Sequence, residues 1–227
     1  MVYLLSNIIT RTRRRDVDEF RVHRHVAPYR VQMHPIEREV YEIATQAILN
    51  YADQNDLPTG FLTVMPQRML ASCLPATIEH WVQKSGFSVY EDADIFEEQK
   101  KSTPFLDMLG QTCQTLPSAN DLWHHDSKFE KFIAVLKEHL ETHSGDKVIV
   151  FSTFKTTLRY LEKRLYQEKI ENFLMHGDTE DRMTLVGAFQ KSTTTRVFLS
   201  SEVGSEGIDL QFARCIVNYD LPWNPMR

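Results

Sequence analysis

The stretch "RVFLSSEVGSEGIDLQ", Arg196 to Gln211, decides how the chain is read. It opens as an apolar run, Val197 to Leu199, of the kind that suits a strand covered on both faces. Three serines and two glycines follow, the glycines three residues apart among small and acidic residues, which is the chemistry of a turn. Ile208 and Leu210 then resume an apolar pattern at once. A buried strand that breaks into a polar, flexible turn and returns to the core puts that turn at a strand end. Parallel α/β sheets bind their ligands there.

The same pattern recurs on both sides of this stretch. "KVIVF" from Lys147, "NFLM" from Asn172 and "CIVNY" from Cys215 are further short apolar runs. Helical periods lie between them. Ser127 with Glu130 fits a capping box, and Phe129, Phe132, Ile133, Leu136 and Leu140 repeat at helical spacing until Gly145. Leu158, Leu161 and Leu165 mark a helix near Thr156 to Gln167. Met183, Val186 and Phe189, turned inward, mark another near Asp181 to Gln190. Strands alternating with helices over about a hundred residues predict βαβ crossovers and a parallel sheet.

Upstream, the pattern is helical. In "HPIEREVYEIATQAILNYA", Pro35 suits a first helical turn, and Ile36, Val40, Ile43, Ala47 and Ile48 fall on one face. "GFLTVMPQRMLASCL" reads as a second helix, with Pro66 starting or kinking it and Pro75 closing it. From Ser85 to Asn120 the period weakens, Pro104 and Pro117 interrupt it, and a connecting region with short helices at most is expected. The organisation expected is a helical segment over 1–120 and an α/β lobe over 121–227.

Composition narrows the function class. The 227 residues are 42% hydrophobic and 25% charged, with 8 Gly and 9 Pro, an ordinary globular balance. No apolar run approaches the roughly 18 residues that span a bilayer, and the apolar start of the chain precedes its charges, the reverse of a secretory signal. A cytoplasmic protein with no membrane partner is expected. Cys73, Cys113 and Cys215 are far apart and odd in number, which favours reduced thiols. His124, His125 and Asp126 could suggest a metal, but adjacent histidines on a helix point about 100° apart, and a solvated helix entrance is the plainer reading. The net charge of −5 does not advertise nucleic acid, yet Arg11, Arg13, Arg14, Arg15, Arg21, Arg24 and Arg30 make the first thirty residues locally basic.

Hydroxyls, acids and glycines collect at the predicted strand ends: Ser152 and Thr153; His176, Gly177 and Asp178; Ser200, Ser201, Gly204, Gly207 and Asp209; and Asp220. Each loop alone reads as an ordinary turn. Together they mark one edge of the sheet. Glu202 and Glu206 argue against a simple phosphate cradle, and neither G-x-x-x-x-G-K-[ST] nor G-x-G-x-x-G occurs in the chain.

Four segments, "KVIVFSTFKTTLRYLEKRL", "MHGDTEDR", "VFLSSEVGSEGIDLQFA" and "CIVNYDLPWNPMR", in this order and spacing, resemble the successive motifs of the second RecA-like lobe of superfamily-two helicases and translocases. The third and fourth most resemble the bacterial Swi/Snf-type ATPases, including the RNA-polymerase-associated branch. "ITRTRRRDV", "MHPIEREVYEIA" and "PQRMLASCLP" resemble, more weakly, the end of the first lobe and the helical insert between lobes.

The resemblance implies an α/β fold, a RecA-like parallel sheet with flanking helices preceded by a mostly helical segment. It implies an ATP hydrolase that uses ATP and Mg²⁺ and acts on double-stranded DNA, with RNA polymerase or another DNA-bound complex as a further partner. It assigns Gly207 and Asp209 to the nucleotide side. Ser152, Thr153, Ser200, Ser201 and Gly204 fall to nucleic-acid contact and coupling, and Arg13, Arg14 and Arg15 to the DNA track. Arg182 matches a recurrent arginine for which a structural role is equally open. In the family, the arginine fingers lie beyond the position of Arg227. The expectation is therefore a fragment of a larger ATPase that hydrolyses no ATP alone and binds none stably. A strand-separating DNA or RNA helicase remains open, as does a non-catalytic interaction module with a degenerate lobe.

Overall fold

The computed structural model describes residues 25–56, 59–83, 103–201, 204, 205 and 207–221. Arg13, Arg14 and Arg15, the acidic run near position 91 and residues 222–227 lie outside the described residues. The chain divides into a short unit, 1–30, and a large one, 31–227. Of the short unit, residues 25–30 are exposed and form neither helix nor strand.

Continuous apolar runs become strands because both of their faces are covered. β1 (Val148–Phe151), β2 (Asn172–Met175), β3 (Val197–Ser200) and β4 (Cys215–Asn218) form one sheet in the order β2-β3-β1-β4, and every neighbouring pair is parallel. Side chains alternate across it. Val148, Val150, Val197 and Leu199 pack on one side with α6 (Ser127–Thr142) and α7 (Lys155–Gln167), through Phe129, Leu136, Leu158, Leu161 and Leu165. Ile149 and Phe198 pack on the other with Val186 and Phe189 of α8 (Arg182–Lys191). This is the parallel sheet with flanking helices that the alternation predicts, and the RecA-like architecture that the resemblance implies. Met183 departs from its expected inward position and is 69% exposed, because Val186 and Phe189, with Leu185 beside them, fill the α8 contact.

The segment ahead of the lobe is helical: α1 (Pro35–Gln54), α2 (Thr59–Ser72), α3 (Leu74–Gln83), α4 (Thr103–Gln114) and α5 (Ala119–Trp123). Their shared core holds Val40, Ala44, Ile48, Met69, Leu70, Ile78, Trp81, Phe105, Leu109 and Leu122, and it also takes Phe154, the residue before α7. Among the described residues no helix is long and apolar enough to cross a membrane.

Three local expectations change. The buried face of α1 is Glu37, Val40, Ala44, Ile48 and Ala52, while Ile43 is 42% exposed. The Glu37 carboxylate fixes that rotation by accepting the His34 N–H at 2.6 Å, the Ser127 N–H at 3.2 Å and the Ser127 hydroxyl. Pro66 lies inside α2, whereas Pro75 and Pro104 stand at the second positions of α3 and α4 and so open helices instead of closing or interrupting them. α4, Thr103–Gln114, is correspondingly longer than the short pieces expected. Finally, Asp126 is the N-cap of α6 in place of Ser127.

Asp126 is more than a cap. It is 3% exposed, and its carboxylate accepts the Phe129 N–H at 2.9 Å and the Tyr160 hydroxyl at 2.7 Å. Arg164 donates to that hydroxyl at 2.8 Å and to the Trp123 carbonyl at 2.7 Å, with its guanidinium 4.0 Å from the Phe129 ring centre. Burial, and then the Asp126 charge, hold the Tyr160 phenol well above its usual range. The cluster ties α5, α6 and α7 together. His124 and His125, by contrast, are exposed, and His125 stacks on His34 at 4.5 Å.

Asp126→Ala removes a cap and strands a buried hydroxyl beside a guanidinium, which should cost about 3 kcal/mol in urea unfolding; a loss below about 1 kcal/mol would contradict the cluster's role. Cys73 and Cys113 are buried, and burial pushes the Cys113 thiol up to about 12 and raises Cys73 as well. Iodoacetamide at pH 8 should therefore leave both unmodified in the folded chain and label them after denaturation, because the thiolate is the reacting form.

Candidate site at the carboxyl edge of the sheet

Parallel pairing brings all four strand ends to one edge. Met175, Ser200, Phe151 and Asn218 stand side by side in register. Hydrogen bonding continues one residue further: Ser201 N–H to the Met175 carbonyl at 3.1 Å, Ser152 N–H to Ser200 at 3.2 Å, and Tyr219 N–H to Phe151 at 2.8 Å. Ser201, Ser152 and Tyr219 are thus held by the sheet itself before their side chains do anything.

After β3 the chain folds onto itself. The Ser200 hydroxyl, fully buried, donates to the Ser201 carbonyl at 3.0 Å; the Ser201 hydroxyl, 1% exposed, accepts the Gly204 N–H at 2.9 Å. Gly204 is glycine for lack of space: a Cβ there would stand 2.9 Å from Ser201 Oγ and 3.1 Å from the backbone Cα of His176. Gly207 is glycine for a different reason. Its φ is +77°, a left-handed value that side chains resist, although the space around it is open. Ile208 and Leu210 then pack against the α8 side of the core, as the alternation predicted. Asp209 is exposed, and its carboxylate accepts the Gln211 N–H at 3.0 Å, which leaves it at the surface beside Gly207.

The neighbouring ends β1 and β4 are clamped. Asp220 Oδ2 accepts the Ser152 hydroxyl at 2.5 Å and the Thr153 N–H at 2.9 Å, and Lys128 Nζ stands 3.4 Å from Oδ1. Ser152 is 2% exposed, whereas Thr153 is half-buried. On the far side, β2 runs into a turn in which Arg182 donates to the Gly177 carbonyl at 2.5 Å and to Thr179 at 3.4 Å. Arg182 therefore braces that turn. Lys155 meets Asp178 at 2.9 Å, and this hydrogen bond holds the Asp178 carboxyl below its usual range.

The sheet accordingly gathers Ser152, Thr153, Ser200, Ser201 and Gly204 on adjacent strand ends and puts Gly207 and Asp209 on the exposed return. The hydroxyls of Ser152, Ser200 and Ser201 point inward and brace the edge, so the exposed surface belongs to the residues they position. Asp220 and His176 stood out in the sequence only as strand-end polar residues. The structure makes Asp220 the clamp and His176 the backbone against which Gly204 packs. Lys128 had no signal beyond its place in a helix start, because its partners are far away in the chain.

Residues 128–227 match the helicase conserved C-terminal domain. An ATP-dependent helicase of Bacillus subtilis (strain 168), YqhH, is 26% identical over 99% of this chain, which spans 36% of that relative's length. The C-terminal part of the Fun30 ATPase domain shares the fold with a TM-score of 0.55 at 19% identity, covering 89% of this chain and 77% of that one. The Sulfolobus solfataricus SWI2/SNF2 ATPase core, solved in complex with dsDNA, does so with a TM-score of 0.57 at 16% identity, over 86% of this chain and 34% of that one. Residues 128–227 thus match a helicase conserved C-terminal domain over 100 of the 227 residues, and the parallel sheet they form shares its fold with the Fun30 and SWI2/SNF2 ATPase structures.

Proposed function

We propose that the chain supplies the second lobe of a Swi2/Snf2-type ATPase that translocates on double-stranded DNA, and that its strand-edge turn couples nucleic-acid grip to ATP turnover. The observation that carries this reading is the turn after β3. It contains a braced part, Ser200, Ser201 and Gly204, with Gly204 pressed on the β2 end, and an exposed part at Gly207 and Asp209. A tight turn with two differently constrained glycines can pass a displacement from one side to the other without disturbing the sheet.

ATP and Mg²⁺ are the cofactors that this reading implies. Among the described residues no group of three or more His, Cys, Asp or Glu side chains is placed to hold a metal ion. The nucleotide side is represented by Asp209, whose exposed carboxylate is an acceptor suited to ribose hydroxyls. Chemistry in such motors is divided between lobes, one gripping phosphates and the other adding positive charge in the transition state. DNA contact in this proposal involves Thr153, the β3 turn and the arginines Arg13, Arg14 and Arg15. Ser152, Ser200 and Ser201 contribute by holding that surface in shape. RNA polymerase or another DNA-bound complex is the load that the sequence resemblance adds to the proposal.

Two measurements test this reading. In the intact protein, Gly207→Val forces a β-branched residue into a left-handed φ at a cost of about 1–3 kcal/mol. DNA stimulation of ATP turnover should fall about tenfold, and unchanged stimulation would remove the turn from the coupling path. The 227-residue chain alone should bind duplex DNA weakly, with affinity falling steeply between low and physiological salt, and should turn over no ATP. Salt-independent binding or measurable turnover would contradict the assignment.

A further inference from the structure

We propose that Lys128 is a positioning residue that ties the helical segment to the strand-edge site, so that the end of α2 sets the geometry of Asp220, Ser152 and Thr153. The inference rests on the coupling role proposed for that edge and names what holds it. Lys128 lies at the start of α6, and its ammonium group makes three polar contacts in three directions. It donates to the Ala71 carbonyl at 3.0 Å and to the Ser72 carbonyl at 2.7 Å, at the last turn of α2, and stands 3.4 Å from Asp220 Oδ1. The Tyr219 ring centre is 4.3 Å away.

An ammonium has three protons to donate, and here each has a partner. Two go to carbonyls that a helix end leaves without intrahelical donors, where a cation is also favoured by the helix dipole. The third reaches the carboxylate whose other oxygen takes the Ser152 hydroxyl and the Thr153 N–H. A path of direct contacts therefore runs from α2 through Lys128 and Asp220 to the end of β1. A second link lies alongside it: the Ser72 and Thr157 hydroxyls are 2.7 Å apart and buried, and Phe154, next to Thr153, is inserted into the helical core. Residues 152–154 are thus held from the lobe side by Asp220 and from the helical side by Phe154. Lys128 touches both the α2 end and Asp220. The Asp220 side chain is 9% exposed, so its pairing with Lys128 is poorly screened by water, and losing the cation disturbs the clamp beyond one hydrogen bond.

The test compares wild type, Lys128→Met, Asp220→Asn and the double variant in the intact protein. The readouts are DNA-stimulated ATP turnover, the KM for duplex DNA, and amide exchange at Thr153. Lys128→Met keeps the stem and removes the charge. Asp220→Asn keeps an acceptor for Ser152 and Thr153 and weakens only the ion pair. The expected result is exchange at Thr153 about tenfold faster in each single variant. DNA-stimulated kcat should fall about tenfold with the KM for DNA changed less than about threefold. The double variant should be no worse than the single variants, because both act on one link. Additive losses, or a lower melting temperature with Thr153 exchange and kcat unchanged, would overturn the proposal. If Lys128→Met does not fold, Asp220→Asn and Lys128→Arg decide: Lys128→Arg should retain Thr153 protection and Asp220→Asn should lose it, and the reverse pattern overturns the link. A wild-type protein without DNA-stimulated turnover would defeat the coupling reading itself, while Thr153 exchange would still report on Lys128.

Discussion

A parallel sheet covered on both faces has no free face on which to do chemistry, and this constraint shapes everything else in the lobe. Val148, Val150, Val197 and Leu199 are committed to the α6 and α7 side, and Ile149 and Phe198 to the α8 side. Polar groups within the strands would be desolvated without compensation. Polar function is thereby displaced to the carboxyl ends, and the register that aligns Met175, Ser200, Phe151 and Asn218 collects four loops into one edge. The serines there are buried because each hydroxyl has a partner, and the glycines are present because backbone spacing or backbone sign leaves no alternative.

The helical segment and the lobe share more than a boundary. Phe154 leaves the end of β1 and enters the helical core, while Cys73 and Ala76 at the junction of α2 and α3 belong to the core of the lobe. Glu37 reaches from α1 to the start of α6, and Lys128 reaches from α6 to the end of α2. Apolar exchange in both directions, closed by charge-assisted hydrogen bonds, makes a seam that resists shear. A displacement of the helical segment would therefore reach the strand edge through packed groups.

Much of this was legible in the chain, and the reasons for success and failure are physical. The strands could be read because β-branched and aromatic runs of four residues bounded by turn residues have few other uses. α6, α7 and α8 could be read from their apolar periods. Proline was ambiguous, since the same residue closes one helix and opens the next. At Pro75 and Pro104 the apolar residues that follow decide for opening, and only the packed core shows it. Glu37 and Lys128 carried no signal because nothing near them in sequence accounts for their partners: Glu37 bonds Ser127, 90 residues away, and Lys128 bonds Asp220, 92 residues away. The strand-end serines were visible as candidates, but their inward orientation was not: Asp220, beyond β4, takes the Ser152 hydroxyl, and partners in the turn after β3 hold those of Ser200 and Ser201.

The proposed function would make this lobe part of a motor that moves along duplex DNA, with the strand edge converting nucleotide state into grip. Displacement of a third strand from a triplex, carried on an otherwise intact duplex, reads that movement without requiring the duplex to open. The intact protein should displace the third strand in an ATP-dependent manner and leave the underlying duplex paired. Failure to displace it under conditions of active ATP turnover, or displacement only with separation of the duplex strands, would contradict the account.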